Sequence, residues 1–183
     1  MDLIQRYNEP HRFYHNLNHI TEMFLTASIN KFALDCKQTI AVLYHDAVYN
    51  IGSKTNEEDS VKVFLEDLSD NFLYSSRNQI SRMIMSTKTH EWTDDICANE
   101  IVDLDLSGLG SPWEKYMQDS NNVIKEYLHI YTPEELKKGR TEFLKKFLSR
   151  QTIFLTDEFQ EKYEDQARLN MKRELEELNE KDY

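Results

Sequence analysis

The stretch Ala41-Val42-Leu43-Tyr44-His45-Asp46-Ala47-Val48-Tyr49-Asn50 limits what this chain can fold into more than any other. Apolar residues surround a His-Asp pair, and neither glycine nor proline interrupts the run, so it reads as a helix. A carboxylate inside such a run must be paired, hydrogen-bonded or bound to a metal. Adjacent helical side chains point about 100° apart, so His45 and Asp46 can grip one ion only from beside the helix. Other segments must then complete the site: a histidine upstream and a carboxylate downstream, each in a comparably apolar setting. Both exist.

Composition points to an all-α fold. Only 4 glycines and 3 prolines occur in 183 residues, too few turn-formers for a many-stranded β structure. That length implies one domain, 1–183, with a core that needs no staples. The formal net charge of −11 argues against an extended nucleic-acid surface, which would be basic. It leaves room for a small phosphate ester balanced by a metal and a few local cations. No segment approaches the roughly 18 apolar residues of a membrane span. Met1-Asp2-Leu3-Ile4-Gln5-Arg6 has no apolar core after a basic end, so no signal peptide is expected. Cys36 and Cys97 read as reduced thiols of a cytoplasmic protein.

Helical periodicity places the other elements. Asn18 is the expected cap of a helix burying Ile20, Met23, Phe24 and Ala27; Lys31 to Asp35 is a connection, and the His-Asp helix runs from about Cys36 to Tyr49. Asn50 to Thr55 is a loop. Thr55 or Asn56 caps the next helix, whose buried stripe is Val61, Phe64, Leu65 and Leu68. Ser76 to Lys88 buries Ile80, Met83 and Ile84, and a further helix carries Ile96, Ile101, Leu104 and Leu106 before Gly108 to Pro112 stops it. Three more helices follow: Trp113 to Tyr131, the Thr132-Pro133-Glu134-Glu135 capping box to about Arg150, and Asp157 to Leu178. The charges of the last are expected to be a solvated face.

The upstream histidines are His11, His15 and His19, with His15 and His19 four apart and so on one face if their segment is helical. The downstream carboxylates are Asp103 and Asp105, in Ile101-Val102-Asp103-Leu104-Asp105-Leu106. His19, His45, Asp46 and Asp105 together supply two imidazoles and two carboxylates. That set suits a divalent ion such as manganese, magnesium, iron, cobalt or zinc, with open positions for water and substrate.

A histidine, then His-Asp, then aspartate on successive helices resembles the HD-domain metal-dependent phosphohydrolases. The wording is closer still to a small bacterial and phage subgroup of predicted HD-superfamily phosphohydrolases. The matching pieces are Arg12-Phe-Tyr-His-Asn-Leu-Asn-His-Ile20, Tyr44-His-Asp-Ala-Val-Tyr49, Asn56-Glu-Glu-Asp-Ser60, Thr87-Lys-Thr-His90 and Asp103-Leu-Asp-Leu-Ser-Gly-Leu-Gly110. The resemblance implies a single compact HD-type helical bundle, with metal-site motifs in 1–110 and accessory helices in 111–183. It implies a phosphohydrolase acting on a small phosphorylated molecule, a nucleotide by preference.

Carried over residue by residue, His19, His45, Asp46 and Asp105 match the metal-binding positions, where the ion would polarise a phosphoryl oxygen and generate a nucleophilic water. Asp103 is the rival for the fourth place; Asp105 aligns better with the family's aspartate, leaving Asp103 a supporting or capping role. Many HD enzymes place an acidic residue shortly after the His-Asp pair, where this chain has Val48, Tyr49 and Asn50. Glu57 and Glu58 are the nearest carboxylates and the candidates for general acid or base, beside Asp46. Arg12, Lys88 and His90 are expected on substrate phosphate, with Tyr14 and His15 at the substrate; His15 or His90 could instead serve a second metal. Each also has a bland reading: a helix-packing histidine for His15, ordinary first-turn acids for Glu57 and Glu58, a C-terminal cap for Lys88. A non-catalytic metal- and nucleotide-binding module and a di-iron oxygenase on the same scaffold are the alternatives.

Overall fold

The computed structural model describes residues 2–180; Met1 and residues 181–183, which the 1–183 domain expected above includes, lie outside them. Among the described residues there are nine α-helices and no strand, so the chain is all-α. It forms two compact units, Met1–Asp105 and Leu106–Tyr183. No helix of the described residues is long and apolar enough to cross a membrane.

In the first unit, α1 (Leu3–Tyr7) exists because Asp2 and Gln5 form a capping box, with Asp2 accepting from Gln5 N at 2.8 Å. The helices α2 (Leu17–Ile29), α3 (Cys36–Tyr44), α4 (Asn56–Leu68), α5 (Tyr74–Ser86) and α6 (Ile96–Leu106) follow. α3 packs against α2, α4 and α5, and α4 also packs on α5. Val42, Phe64, Ile80, Met83, Ile84, Ile101 and Leu104 fill the interior, each side chain of this kind contributing about 1.5–3 kcal/mol when fully buried.

Several boundaries differ from the periodic reading for identifiable reasons. α2 is capped by Asn16, which accepts from Asn18 N at 2.8 Å, so Asn18 is the bonded residue and not the cap. α3 ends at Tyr44 instead of Tyr49, leaving His45 as its C-cap and Asp46 in the turn beyond. The core face of α4 is Asn56, Ser60, Val63 and Phe64 instead of the Val61, Phe64, Leu65 and Leu68 stripe, because the two polar residues are bonded to loop backbone. Ile96 is exposed at the first turn of α6.

The second unit contains a 3₁₀ turn (Ser107–Gly110), α7 (Trp113–Tyr127), α8 (Pro133–Leu148) and α9 (Asp157–Glu180). The capping box at Thr132 starts α8 as expected. Gly110 allows α9 to approach closely, since a Cβ there would lie 2.7 Å from Tyr163 Cβ. The expected solvated face of α9 is interrupted by Glu174, which is buried. Its carboxylate accepts from Arg140 Nε and Nη2, both at 2.8 Å, from Ser120 Oγ at 2.8 Å, and from the Tyr116 hydroxyl. Removing one partner of such a pair leaves a charge in a dry place. Arg140→Met should cost about 3–5 kcal/mol in urea unfolding, and the double variant Arg140→Met/Glu174→Leu should recover most of that loss.

Candidate metal centre

The end of α3 builds the site. A helix leaves its last four carbonyls without intrahelical donors. Here Ala41 O accepts from His45 N at 2.9 Å, Val42 O pairs with His45 Nδ1 at 2.9 Å, Leu43 O accepts from the Tyr7 hydroxyl at 3.0 Å, and Tyr44 O accepts from Ala47 N at 3.1 Å. The chain beyond is held by side chains. Arg12 donates from Nη1 to Asp46 O at 2.7 Å and from Nη2 to Ala47 O at 3.3 Å. Ser60 Oγ bonds the amide and carbonyl of Val48 at 3.0 and 3.4 Å, His11 Nε2 sits 2.9 Å from Tyr49 O, and the Asn56 amide bonds both backbone groups of Asn50. No glycine or proline stops this helix; distant polar side chains do.

With Nδ1 of His45 on the carbonyl of Val42, Nε2 is the nitrogen left over, and it is buried with no hydrogen-bond partner among the described residues. It faces a cluster. His19 Nε2 lies 2.9 Å from Asp105 Oδ1, His45 Nε2 lies 3.6 Å from the same oxygen and 3.1 Å from Asp46 Oδ2, and His90 Nε2 lies 2.9 Å from Asp105 Oδ2. One donor atom each from His19, His45 and Asp105 lies within 4.8 Å of the others. Two imidazoles and a carboxylate converging at that range, one imidazole with its tautomer fixed by a backbone carbonyl, could hold a divalent ion. Asp46 adjoins this trio through His45. α3 also points its C-terminal end here, where the helix dipole favours positive charge.

Burial alone would lower the His45 pKa and raise those of the two carboxylates. Mutual attraction overrides it. Asp46 and Asp105 hold the His45 imidazole well above its ordinary 6.5. Asp46 is held below the usual carboxylate range by His45 and His15, and Asp105 by His19, His45 and His90. The site therefore stabilises positive charge at its centre, whether a proton or a metal ion supplies it.

The other candidates are distributed differently. Arg12 is not a free fork: its side chain is fully buried, with Nε on Glu9 Oε2 at 2.9 Å and Nη1 also on His15 O at 3.0 Å. It braces the site's backbone instead of presenting itself to a ligand. Lys88 donates to Glu58 Oε1 and, at 2.6 Å, to Lys54 O, joining the end of α5 to the start of α4. Glu58 is thereby drawn below its ordinary pKa, chiefly by that Lys88 bond, and its second oxygen is buried without a partner among the described residues. Glu57 is half-buried in the first turn of α4. Tyr14 packs at 4.9 Å from the His19 ring, and His15 stacks on Tyr49 at 4.0 Å, so these aromatics wall the imidazoles. Asp103 is buried, and it is Asp105 that meets the histidines.

His90 carries a feature that no sequence pattern announces. Its φ is 52°, a left-handed conformation that glycine or asparagine normally fills just after a helix and that costs a histidine about 1–2 kcal/mol. Its amide closes on Ser86 O at 3.1 Å. The bracing roles of Tyr7 and Arg12 were equally hidden, although an arginine among Phe13 and Tyr14 is a weak sign of a partly apolar setting. Comparisons with protein-family models, curated proteins and solved structures found no match.

Two expectations follow. Arg12→Ala would strand the carbonyls of His15, Asp46 and Ala47, and chemical denaturation should show a loss of at least about 2 kcal/mol. In metal-free protein, a raised His45 pKa contributes stability that is complete below 6.5 and lost as pH rises through the folded value. The lowered aspartates contribute stability that is complete above about 3.8 and lost as pH falls through their folded values. Melting temperature in chelator should therefore fall from pH 6 to pH 9, and His45→Gln should remove that slope.

Proposed function

We propose that this chain is a metal-dependent phosphohydrolase of the HD type, acting on the phosphate ester or anhydride of a small molecule, a nucleotide by preference. The observation that carries the reading is the buried Nε2 of His45, which makes no well-directed hydrogen bond among the described residues. It lies 3.1 Å from Asp46 Oδ2 and 3.6 Å from the Asp105 oxygen that His19 also reaches. His19, His45 and Asp105 are the ligands in this proposal, with Asp46 completing the set from the turn after α3. A divalent ion bound there would polarise a phosphoryl oxygen and lower the pKa of a water molecule. Tyr14, His15 and Tyr49 hold the imidazoles in place by ring packing. Glu58 is the candidate general acid or base, and it can act only if Lys88 moves from its carboxylate to the substrate phosphate. Substrate entry would thus exchange one anion for another on the same ammonium group.

A second reading, a metal- and nucleotide-binding module without turnover, has a specific observation in its favour. Arg12 and Lys88, the cations first considered for phosphate, are both engaged with protein oxygens, and Glu58 is tied to Lys88.

Protein purified without chelator should carry about one divalent ion per chain, and Asp105→Ala and His45→Ala should each lose it. Phosphate release over a panel of nucleotides with manganese should then identify a substrate, with Asp105→Ala at least about 100-fold slower. Metal without release on any substrate would favour the binding module. Absence of metal from the wild type would overturn both.

A further inference from the structure

The sequence offers His90 for substrate phosphate, and its position in the fold argues for another task. The left-handed turn after α5 costs a residue with a Cβ some backbone strain, and glycine or asparagine fills it at least cost. What the histidine does there is reach across to α6. Its Nε2 lies 2.9 Å from Asp105 Oδ2, the oxygen opposite the one that His19 reaches. The Asp105 carboxylate is thus held from both sides. These two hydrogen bonds come from different elements, so the rotation of the carboxylate is fixed. The His90 side chain is 23% exposed, against 3% for His19 and 1% for His45, so it stands on the solvent side of the cluster.

We propose that His90 is a positioning residue for the metal centre: it holds Asp105 Oδ2 so that Oδ1 is presented to the ion shared with His19 and His45. This rests on the metal-binding reading above. Carboxylate ligands are held in place by hydrogen-bonded partners, and removing such a partner typically weakens metal binding about 10- to 100-fold. In the metal-free protein two effects of replacing His90 oppose each other: asparagine or glycine relieves the left-handed backbone but removes a hydrogen bond to the Asp105 carboxylate.

The test uses the full chain and its His90→Asn and His90→Gly variants. Manganese affinity and stoichiometry are read by titration calorimetry, and melting temperature is read in chelator. The expected result is one ion per chain in all three proteins, affinity about 10- to 100-fold weaker in both variants, and a cooperative metal-free melt retained in each. Unchanged affinity in both variants would overturn the proposal, and so would weaker affinity confined to a variant that no longer melts cooperatively in chelator. Two ions in the wild type falling to one in the variants would overturn it in favour of His90 as a ligand of a second ion. A wild type that binds no manganese would sink the metal reading itself, an outcome distinct from a metal-binding wild type whose variants behave identically.

Discussion

Everything in the first unit depends on where α3 stops. A helix continued past Tyr44 would have turned His45 and Asp46 about 100° apart on its surface and satisfied Val42 O with a backbone amide. Instead that carbonyl takes the Nδ1 of His45, and Leu43 O takes a tyrosine hydroxyl. The carbonyls of Asp46 and Ala47, just beyond the helix, take an arginine fork. The interactions are individually modest, of order 1 kcal/mol each, but they all act on one short piece of backbone. Their common result is a histidine whose tautomer is fixed from behind and whose other nitrogen faces the cluster. The chemistry of the site is therefore a by-product of capping a helix.

The second constraint is the Asp105 carboxylate. It receives Nε2 atoms of His19 and His90 at hydrogen-bond distance and that of His45 slightly farther off, from α2, the turn after α5 and the end of α3. Those segments are far apart in the sequence, so the cluster exists only when the unit is folded. Its charges reinforce one another: each imidazole lowers the carboxylate pKa, and the carboxylates raise that of His45. A cation placed among them would meet the same potential that retains the proton. A metal ion bound there would compete with that proton for one place, and its binding would release the proton from His45.

How much of this could be read beforehand depended on whether the determining contacts were local. The all-α class and the apolar positions of α5 and α6 follow from periodicity, which is a property of neighbouring residues. His19, His45 and Asp105 stood out because an ionisable group in an apolar segment needs a partner wherever the chain folds. The end of α3 was illegible because Tyr7, Arg12, Asn56 and Ser60, which arrange it, are distant residues with no local pattern. Arg12 looked like a phosphate fork for the same reason: a buried guanidinium satisfied by carbonyls and an exposed one are written alike. His90 was legible as a candidate and not as a positive-φ residue, since nothing in Thr87-Lys88-Thr89-His90 marks a turn that glycine would prefer. Glu174 is one acid among many on a charged helix, and only the fold shows that it is enclosed.

Glu174 also provides the internal control for the metal argument. Both units enclose a carboxylate, Glu174 almost completely and Asp105 with some exposure, so both face a desolvation cost. In the second unit the answer is closed: a guanidinium, two hydroxyls and the carboxylate leave no buried nitrogen or oxygen of the group without a partner. In the first unit the partners are imidazoles, and one of them, His45, faces two carboxylates with a nitrogen that makes no well-directed hydrogen bond among the described residues. An arginine would have served as well for stability alone, since its charge is permanent and its fork matches a carboxylate. Histidines differ in that they can give up a proton and offer a lone pair to a metal. The second unit thus satisfies its buried carboxylate with a permanent cation and hydroxyls, whereas the first surrounds Asp105 with imidazoles, whose ring nitrogens could hold a metal ion.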